Sequence, residues 1–598
     1  MFQFSPLSIP VSMFNLAAQL PADGAIIGTE GADTLTGTAA DDEIWGYGGN
    51  DRIIGGFGAD YLYGGAGNDW FGFSAISSAS GSRIGLIDGG DGIDTLNLST
   101  VSPIVVGTIQ LDNGDYSLGV YVGGQKFAIT NVERIVLNDL DNGFYWTNFT
   151  DQPVSVFGGA GNDYLNGSPN LSLHGEVGDD IFFVSGTFGG TARAGAVYGG
   201  AGIDTLQTNI SFTVDLAAGT ATSGTASYTI SSIEIVEVVP APAYPSIVYG
   251  SDAAETFRIN PTFADRTGTV TFHGRGGDDV LEGGLGDDLL DGGDGADRMD
   301  GGGGADRMVG GAGNDVYIVD NVGDHVVEAN EVGQDIVNAS VSYSIAGQFV
   351  ETLNLTGNRD IDGTGNGLNN MIRGNDGHNR LSGGSGHDIL NGGRGGDIMD
   401  GGQGDDIYHV DDRADRVIEA INSGNDTINS SISYVLVGTH VENLILTGTA
   451  IVHGTGNHLD NRLTGNGRGN VLNAGAGDDL LRGGLGSDRL IGGAGDDVFW
   501  FDTAPGALNI DRIDDFNVSE DSIRLSPTIF ANVGPNGRLA EAAFAIGSVA
   551  DQADDRILYD SVSGALFYDA DGNGGGVAIQ FSSITPGLAL SYADFVIG

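Results

Sequence analysis

In four stretches of this chain, hydrophobic residues return at every ninth position beside a fixed set of glycines and one aspartate. From Gly274 the sequence reads GRGGDDVLE, GGLGDDLLD, GGDGADRMD, GGGGADRMV and GGAGNDVYI, with Leu, Met or Tyr always in the eighth place. Glycines at places one, two and four allow backbone angles that a side chain would forbid, so six residues can form a tight turn. The last three residues favour a short strand with the eighth side chain in a core. Two nines therefore predict one coil of about eighteen residues, with turns stacked along both edges.

The nines divide the chain into four strict blocks of five, separated by less regular segments. The predicted segments are 1–27 (leader), 28–72 (block 1), 73–273 (β-rich spacer with isolated nines), 274–318 (block 2), 319–364 (β spacer), 365–409 (block 3), 410–455 (β spacer), 456–500 (block 4) and 501–598 (C-terminal cap). A longer period is superimposed, because GGAGNDVYIVD at Gly310 returns as GGQGDDIYHVD at Gly401 and as GGAGDDVFWFD at Gly492, each step being 91 residues.

The short spacers have a different hydrophobic pattern from the blocks. In the first of them, apolar residues alternate with Asn and Ser at Val337, Ala339, Val341, Tyr343 and Ile345. A period of two predicts a strand with one buried face. The fold class predicted is therefore all-β: parallel β-roll segments made of nonapeptide coils, joined by β-strand spacers and closed by a C-terminal β cap.

The sixth place of each nine supplies a carboxylate, and this pattern predicts a metal site. Stacked turns bring these side chains and bare main-chain carbonyls to one strand spacing, about 4.8 Å, where carboxylates repel unless a cation lies between them. Oxygen-only ligands in a glycine-rich loop suit Ca²⁺. The predicted calcium ligands are Asp42, Asp51, Asp60, Asp69, Asp279, Asp288, Asp297, Asp306, Asp315, Asp388, Asp397, Asp406, Asp479, Asp488 and Asp497.

Blocks 3 and 4 depart from this pattern at their starts. Asn370 and Asn379 precede the aspartates of block 3, and Asn461 and Asn470 precede those of block 4. An amide can offer an oxygen but no charge, so the sequence leaves these first sites open.

Composition narrows the class of protein. Asp and Glu number 80 against 24 Lys and Arg, for a net charge of −56, and such a surface repels nucleic acid and anionic membranes. Although the chain has 104 glycines, 40% of its residues are apolar, which argues against disorder. There are no cysteines, so neither disulfides nor thiolate chemistry is available. We expect no membrane insertion, because no apolar run is long enough to span a bilayer.

The nines resemble the repeats-in-toxin (RTX, hemolysin-type) nonapeptide GGxGxDxUx. That resemblance implies a parallel β-roll with Ca²⁺ between turns on one edge, that is, between nine n and nine n+2. The segments DRIDDFNVSEDSIRLS and RILYDSVSGALFYDADGNGGGVAIQF resemble the closing domain of serralysin-type proteases, in which an uncleaved C-terminal signal directs type I secretion. This second resemblance covers about the last hundred residues, and it implies the type I secretion machinery as a partner. Capping of an open roll edge is an alternative role for the same strands.

Two functions remain open. The first is a secreted, calcium-dependent, non-enzymatic protein that acts at the cell surface or in the extracellular matrix, through self-assembly or by binding surface polysaccharide. The second is a secreted enzyme that acts on polysaccharide, with its site within residues 73–273. The nine histidines include no HExxH, and we predict no catalytic and no organic-cofactor residues. Paired carboxylates in a pocket would favour the enzyme, and exposed strand edges would favour assembly.

Overall fold

The computed structural model describes residues 24–73, 84–98, 104–110, 116–122, 125–140, 142–145, 153–167, 170–186, 193–209, 212–239, 245–264, 267–330 and 333–598. Most of the predicted leader (residues 1–23) and parts of the 73–273 spacer lie outside the described residues. Within them, every regular element is a strand apart from three short 3-10 helices, Pro261–Phe263, Glu541–Ala543 and Tyr592–Asp594. The all-β prediction is confirmed. The chain forms two compact units, unit 1 (Met1–Arg307) and unit 2 (Met308–Gly598).

In unit 1 most successive strands alternate between two largely parallel sheets. The exceptions are two antiparallel runs, residues 104–130 in the first sheet and 213–231 in the second. The first sheet contains Ile26–Ile27, Glu43–Gly48, Tyr61–Ala66, Ile84–Asp91, Ile104–Gln110, Tyr116–Val122, Gln125–Thr130, Gly143–Tyr145, Tyr164–Gly167, Ile181–Val184, Thr205–Thr208, Ile235–Val238, Thr256–Ile259, Val280–Gly284 and Arg298–Gly302. The second contains Thr34–Thr36, Arg52–Ile54, Trp70–Gly72, Thr95–Asn97, Arg134–Val136, Val154–Ala160, Leu171–Val177, Arg193–Ala201, Thr213–Asp215, Thr220–Ser223, Ala226–Ser231, Ser246–Tyr249, Val270–Gly276 and Leu289–Asp294.

Unit 2 repeats this alternation. One sheet contains Val316–Val319, Ile336–Ala339, Thr352–Leu355, Met371–Arg373, Ile389–Asn391, Ile407–Val410, Thr427–Ser430, Asn443–Leu446, Arg462–Thr464, Leu480–Arg482, Val498–Phe501, Ser522–Leu525, Gly537–Arg538 and Phe595–Ile597. The strands between them are Arg307–Ala312, His325–Val327, Tyr343–Ser344, Gly363–Thr364, Arg380–Ser385, Ile398–Gln403, Arg416–Ile418, Tyr434–Val435, Gly454–Thr455, Val471–Ala476, Arg489–Ala494, Asp511–Ile513, Phe544–Ile546, Ile557–Asp560, Ala565–Tyr568 and Ile579–Ser583.

Residues eighteen positions apart are neighbours in the parallel sheets of the blocks. Leu390 pairs with Tyr408 in one sheet, and Leu381 pairs with Met399 in the other. All four occupy the eighth place of a nine, and all are fully buried. The period of nine therefore sets both the strand register and the core, because each coil places one eighth-place side chain on each sheet.

The first short spacer differs from its predicted strand. The alternating run forms two strands in different sheets, Ile336–Ala339 and Tyr343–Ser344, rather than one. Val337, Ala339 and Ile345 are buried, but Val341 is only half-buried. A coil of this width has to turn at the sheet edge, and that turn interrupts the run although the alternation continues through it.

The C-terminal segment closes unit 2 as a β cap. Ile557–Asp560, Ala565–Tyr568 and Ile579–Ser583 form an antiparallel meander, and Ile579–Ser583 pairs with Asp511–Ile513 of the roll. Phe595–Ile597 adds to the other sheet beside Ser522–Leu525. The predicted cap is confirmed as a fold element, because these strands cover the last coil of the roll.

Two glycines of one nine allow a matched test of the turn. A Cβ on Gly465 would overlap Gly483 O and the Asn470 side chain, whereas a Cβ on Gly467 would meet nothing within 4 Å. Neither glycine has a φ in the left-handed region. We expect Gly465→Ala to lower the free energy of unfolding of unit 2 by about 1–3 kcal/mol through overpacking. Gly467→Ala should leave it equal or raise it by about 0.4–1 kcal/mol, because alanine restricts the unfolded chain. Denaturant unfolding in saturating Ca²⁺ measures both, and equal effects would contradict the steric argument.

Candidate metal centres

The sixth-place aspartates form hydrogen-bonded ladders along the turns. In block 3 the Asn370 N–H donates to Asp388 Oδ1 (2.7 Å), and the Asp388 N–H donates to Asp406 Oδ1 (2.7 Å). The second edge of that block repeats this pattern, since the Asn379 N–H donates to Asp397 Oδ1 (2.8 Å). Each carboxylate thus uses one oxygen to cap the backbone of the turn eighteen residues before it. This is the predicted stacking of nine n on nine n+2.

The second carboxylate oxygen of each ladder member points back into its own turn. Asp388 Oδ2 lies so close to Gly383, the first place of the same nine, that a Cβ on Gly383 would overlap it. This favours glycine in the first place, and in the four strict blocks only Ala474 departs from it. Among the described residues, fully shielded Oδ2 atoms without a hydrogen-bond partner belong to Asp51, Asp60, Asp69, Asp94, Asp180, Asp204, Asp279, Asp388, Asp397, Asp406, Asp426, Asp479, Asp488 and Asp497.

Burial makes these carboxylates reluctant to ionise. It raises the pKa of Asp279 to about 8 and those of Asp60 and Asp388 to about 7, and the neighbouring ladder carboxylates add to the rise. An unpartnered, buried carboxylate is costly unless a cation or a proton neutralises it. Oxygen-lined turns with one spare anionic oxygen each therefore fit Ca²⁺, which accepts six to eight oxygen ligands.

The structure places the fifteen predicted ligands in two groups. All except Asp42 are buried. Asp42 is half-buried near the start of block 1, and its Oδ2 accepts hydrogen bonds from the Thr38 backbone (2.6 Å) and hydroxyl (2.9 Å). Asp288 also has its Oδ2 engaged, by the Gly284 N–H at 2.8 Å. Direct ligation of calcium by each of the fifteen stays a prediction, with Asp42 and Asp288 carrying competing hydrogen bonds.

The asparagines that start blocks 3 and 4 satisfy their own turns. Asn370 Oδ1 accepts from the Asn366 N–H (2.8 Å), and its amide donates to Val350 O (3.0 Å). Asn470 likewise donates to Val452 O, at 2.7 Å. Each amide is neutral and donates a hydrogen bond to a nearby carbonyl, so it needs no cation, whereas a carboxylate in the same place would. We expect these first turns to form without calcium.

The strict period of nine did not reveal several ladder members. The sequence reasoning missed five ladder carboxylates, Asp335, Asp415, Asp426, Asp511 and Asp521. It also missed Glu255, whose N–H donates to Asp279 Oδ1. Glutamates also end several ladders, as Glu442 does by accepting from the Asp426 N–H at 2.9 Å. A useful signal is a Gly-x-Asp triplet in a spacer, such as Gly424 to Asp426.

The raised pKa values predict an unusual pH dependence of the metal-free protein. Because burial raises the folded-state pKa of Asp60, Asp388 and Asp497 to about 7, the folded state keeps protons that the unfolded chain has released. Without metal, stability should therefore fall as pH rises from the ordinary carboxylate range towards 7. In saturating Ca²⁺ the trend should reverse, since the ligands must lose their protons. Circular dichroism melts across this range with and without chelator check both, and parallel trends would contradict the assignment.

The chain matches the family model described as the RTX calcium-binding nonapeptide repeat (4 copies). The matched residues are 27–62, 45–72, 154–169, 263–290, 273–308, 286–317, 364–399, 373–408, 390–415 and 464–499. These include all four strict blocks in whole or in large part. A search of curated proteins found no match. In the described part of the chain, no helix is long and apolar enough to cross a membrane. The chain therefore carries RTX nonapeptide repeats, which bind calcium and fold here as a parallel β-roll.

Proposed function

We propose that this is a secreted protein that folds on extracellular calcium and serves as a structural or adhesive component of a cell surface or matrix. Export by the type I secretion machinery is part of the proposal, and the resemblance of the C-terminal segment to serralysin-type closing domains supports it. The observation that carries the proposal is the set of buried carboxylate oxygens without partners.

Calcium concentration differs between the two sides of the export step. Extracellular modules bind Ca²⁺ with dissociation constants of about 10⁻⁴–10⁻³ M, far above cytosolic calcium. With a net charge of −56 and buried carboxylates in every block, the chain should stay unfolded before export. Millimolar calcium outside the cell would then drive folding, because binding free energy becomes folding free energy.

An open strand edge supports a role in assembly. Phe544–Ile546 pairs with Ile557–Asp560 on one side and, within the described residues, has no strand on its other side. Ile546 is 61% exposed on this edge strand. An unprotected edge can pair with another chain. This edge is a candidate contact between copies of the protein.

The rival function, a polysaccharide-acting enzyme within residues 73–273, needs a pocket with paired carboxylates that are free to act. A cavity of about 190 Å³ in unit 1 is lined by Glu234, Ser251 and Glu255, together with apolar residues. Its two carboxylates are already engaged in the turns: Glu234 accepts from the Asp204 N–H, and Glu255 accepts from the Ser251 hydroxyl and N–H. Both side chains act as turn caps, so this pocket favours the non-enzymatic function.

A calcium titration of chelator-stripped protein, followed by circular dichroism and light scattering together, tests the proposal. We expect β-structure to appear first and large assemblies to follow. Ile546→Lys should reduce scattering without changing the circular dichroism, whereas Val549→Lys, at an exposed residue outside the strand, should change neither. A calcium-loaded wild type that folds but stays monomeric at all concentrations would contradict the assembly role.

A further inference from the structure

We propose that unit 2 contains two divalent-cation sites of a second kind, which close repeat blocks 2 and 3. The later site is built from Asp406, Glu419 and Asp426, with the hydroxyl of Tyr408 beside them. The earlier site is its counterpart 91 residues before, with Asp315, Glu328, Asp335 and Tyr317. Glutamate and tyrosine have no part in the nonapeptide pattern. The inference rests on calcium binding by the repeats and is independent of the assembly role.

Three carboxylates converge in each site. In the later one, one oxygen from each of Asp406, Glu419 and Asp426 lies within 4.8 Å of the others, and all three residues are buried. They come from the last nine of block 3, from the end of the following strand Arg416–Ile418, and from the next turn. The ordinary ladder contributes one aspartate per turn, whereas here the spacer folds a third carboxylate into the gap.

Two of the converging side chains have a spare oxygen in the site. Asp406 Oδ1 accepts the Asp388 N–H and Asp426 Oδ1 accepts the Asp406 N–H, but the Oδ2 atom of each is fully shielded and has no hydrogen-bond partner. Both residues are at most 1% exposed. A Cβ on Gly401 would overlap both Asp406 Oδ2 and the Tyr408 hydroxyl, so these oxygens face the same point. Two buried carboxylate oxygens without hydrogen-bond partners lie next to a third carboxylate, and a cation between them would neutralise this negative charge.

The surroundings supply no fixed positive charge. No arginine or lysine of the described residues forms an ion pair with Asp406, Glu419 or Asp426. His440 contacts the backbone oxygen of Glu419 through Nδ1 at 3.0 Å, and Glu442 adds a further carboxylate next to Asp426. Apart from His387 and His440, the charged side chains beside this site are carboxylates.

Tyrosine holds the glutamate in place. The Tyr408 hydroxyl donates to Glu419 Oε2 and accepts from the Gly401 N–H at 2.8 Å. Glu419 Oε1 accepts from the Ser423 hydroxyl (2.7 Å) and the Ala420 N–H (3.2 Å). With both oxygens oriented, the glutamate presents fixed lone pairs to the site, as a preorganised ligand should. Tyr408 is a positioning residue in this arrangement.

The third copy of the 91-residue repeat lacks both of these residues. Where the first two copies have Tyr317 and Tyr408, the third has Phe499. Its spacer is five residues longer, so Asp515 stands in the place of the glutamate, and its oxygens accept from the Gly492 and Gly493 N–H groups. Phe499 is fully buried in the same core position, so packing alone does not need the hydroxyl. Tyrosine and glutamate occur together in the first two copies, which have the three-carboxylate clusters, whereas the third copy combines Phe499 with the shorter Asp515. This pairing ties the hydroxyl to the carboxylate and both to the proposed site.

Ligand charge sets how tightly such a site binds. Calcium affinity rises with the number of carboxylate ligands and with the rigidity of the site. Three carboxylates, one of them held by a buried hydroxyl, should bind Ca²⁺ at least about tenfold more tightly than a repeat turn with fewer. The two sites should therefore fill first, at the ends of blocks 2 and 3, and order the neighbouring coils before the other turns bind.

Isothermal titration of the chelator-stripped full-length chain with Ca²⁺ tests this. We expect a high-affinity class of two ions per chain in the wild type. This class should be absent in the double variant Glu328→Gln/Glu419→Gln. It should be retained in the control Glu30→Gln/Glu541→Gln, which removes the same charge at two exposed glutamates outside the clusters. Tyr317→Phe/Tyr408→Phe should keep two ions but weaken the class about fivefold or more, the result expected of a positioning residue.

The outcomes separate this inference from the proposed function. If the wild type binds calcium but all four proteins give the same isotherm, the closing sites are overturned while calcium-driven folding stands. If no protein takes up calcium, calcium-driven folding fails as well. Circular dichroism at saturating Ca²⁺ verifies that each variant folds. Should the glutamate variant fail to fold there, the tyrosine variant decides: an unchanged isotherm overturns the proposal, and a weakened two-ion class supports it.

Discussion

Removal of calcium at neutral pH is expected to unfold most of the β-structure of this protein. In every strict block, buried carboxylate oxygens such as Asp60 Oδ2 and Asp488 Oδ2 have no hydrogen-bond partner among the described residues. Each buried, uncompensated charge costs several kcal/mol, and a domain is stable by only about 5–15 kcal/mol. A few such groups in each unit are enough to make the unfolded state more stable than the folded state.

Far-ultraviolet circular dichroism during chelation and calcium return measures this effect. We expect a cooperative and reversible loss of the strand signal. Mg²⁺ at the same concentration should restore little of it, because it demands a small octahedral site and keeps its waters. Sodium chloride at equal ionic strength is the control for screening, and it should also restore little, since buried pairs are screened weakly. A β-signal that survives excess chelator near neutral pH would refute calcium-driven folding.

The strand register and the core of the blocks could be predicted from the sequence. A side chain such as Leu390 or Met399 recurs every nine residues, and eighteen residues make one coil whatever surrounds it. Local physics is sufficient here, because glycine turns and short strands depend on neighbours in the chain. The ladders between one nine and the second nine after it follow from the same eighteen-residue coil.

The ladder members outside the period could not be predicted in this way. Asp488 is followed on its ladder by Asp511, and Asp497 by Asp521, at separations of 23 and 24 residues instead of eighteen. The spacer bulges between coils before the chain returns to register. Only the folded chain shows which later carboxylate arrives above a given turn. The same holds for Glu419, whose place depends on how a whole spacer folds.

The sequence also could not predict which carboxylate oxygens lack a hydrogen-bond partner. The sequence does not distinguish the two kinds of sixth-place aspartate. Both oxygens of Asp288 accept hydrogen bonds, whereas Asp397 Oδ2 has no hydrogen-bond partner. The sequence therefore predicts the kind of metal and the edge on which it binds. Which turns need a metal is a property of the hydrogen-bond geometry.

Neutralising two aspartates of one ladder should stabilise the metal-free protein and destabilise the calcium-loaded protein, and this is the second large effect we expect. Asp479 and Asp497 are consecutive on one ladder, both buried with an unpartnered Oδ2. In Asp479→Asn/Asp497→Asn, the amides remove two buried charges and can donate to nearby carbonyls, as Asn470 does. The metal-free protein should then be more stable than the wild type. With calcium it should be less stable, and the calcium midpoint should rise about tenfold, or ~1.4 kcal/mol per weakened site.

The control variant changes the same charge at the adjacent residues. Asp478 and Asp496, at the fifth places of the same nines, are exposed, and the Asp496 N–H donates to Asp478 Oδ1 at 2.8 Å. Asparagine already performs this role elsewhere, since Asn50 Oδ1 accepts the Asn68 N–H at 2.9 Å. Asp478→Asn/Asp496→Asn should therefore shift the calcium midpoint less than about twofold, by loss of surface charge alone. Thermal melts in chelator and in calcium provide all four comparisons. If both double variants shift the midpoint equally, net charge controls folding and the buried oxygens do not. If only the Asp479/Asp497 pair inverts the order of stability, the ladder oxygens are the calcium ligands.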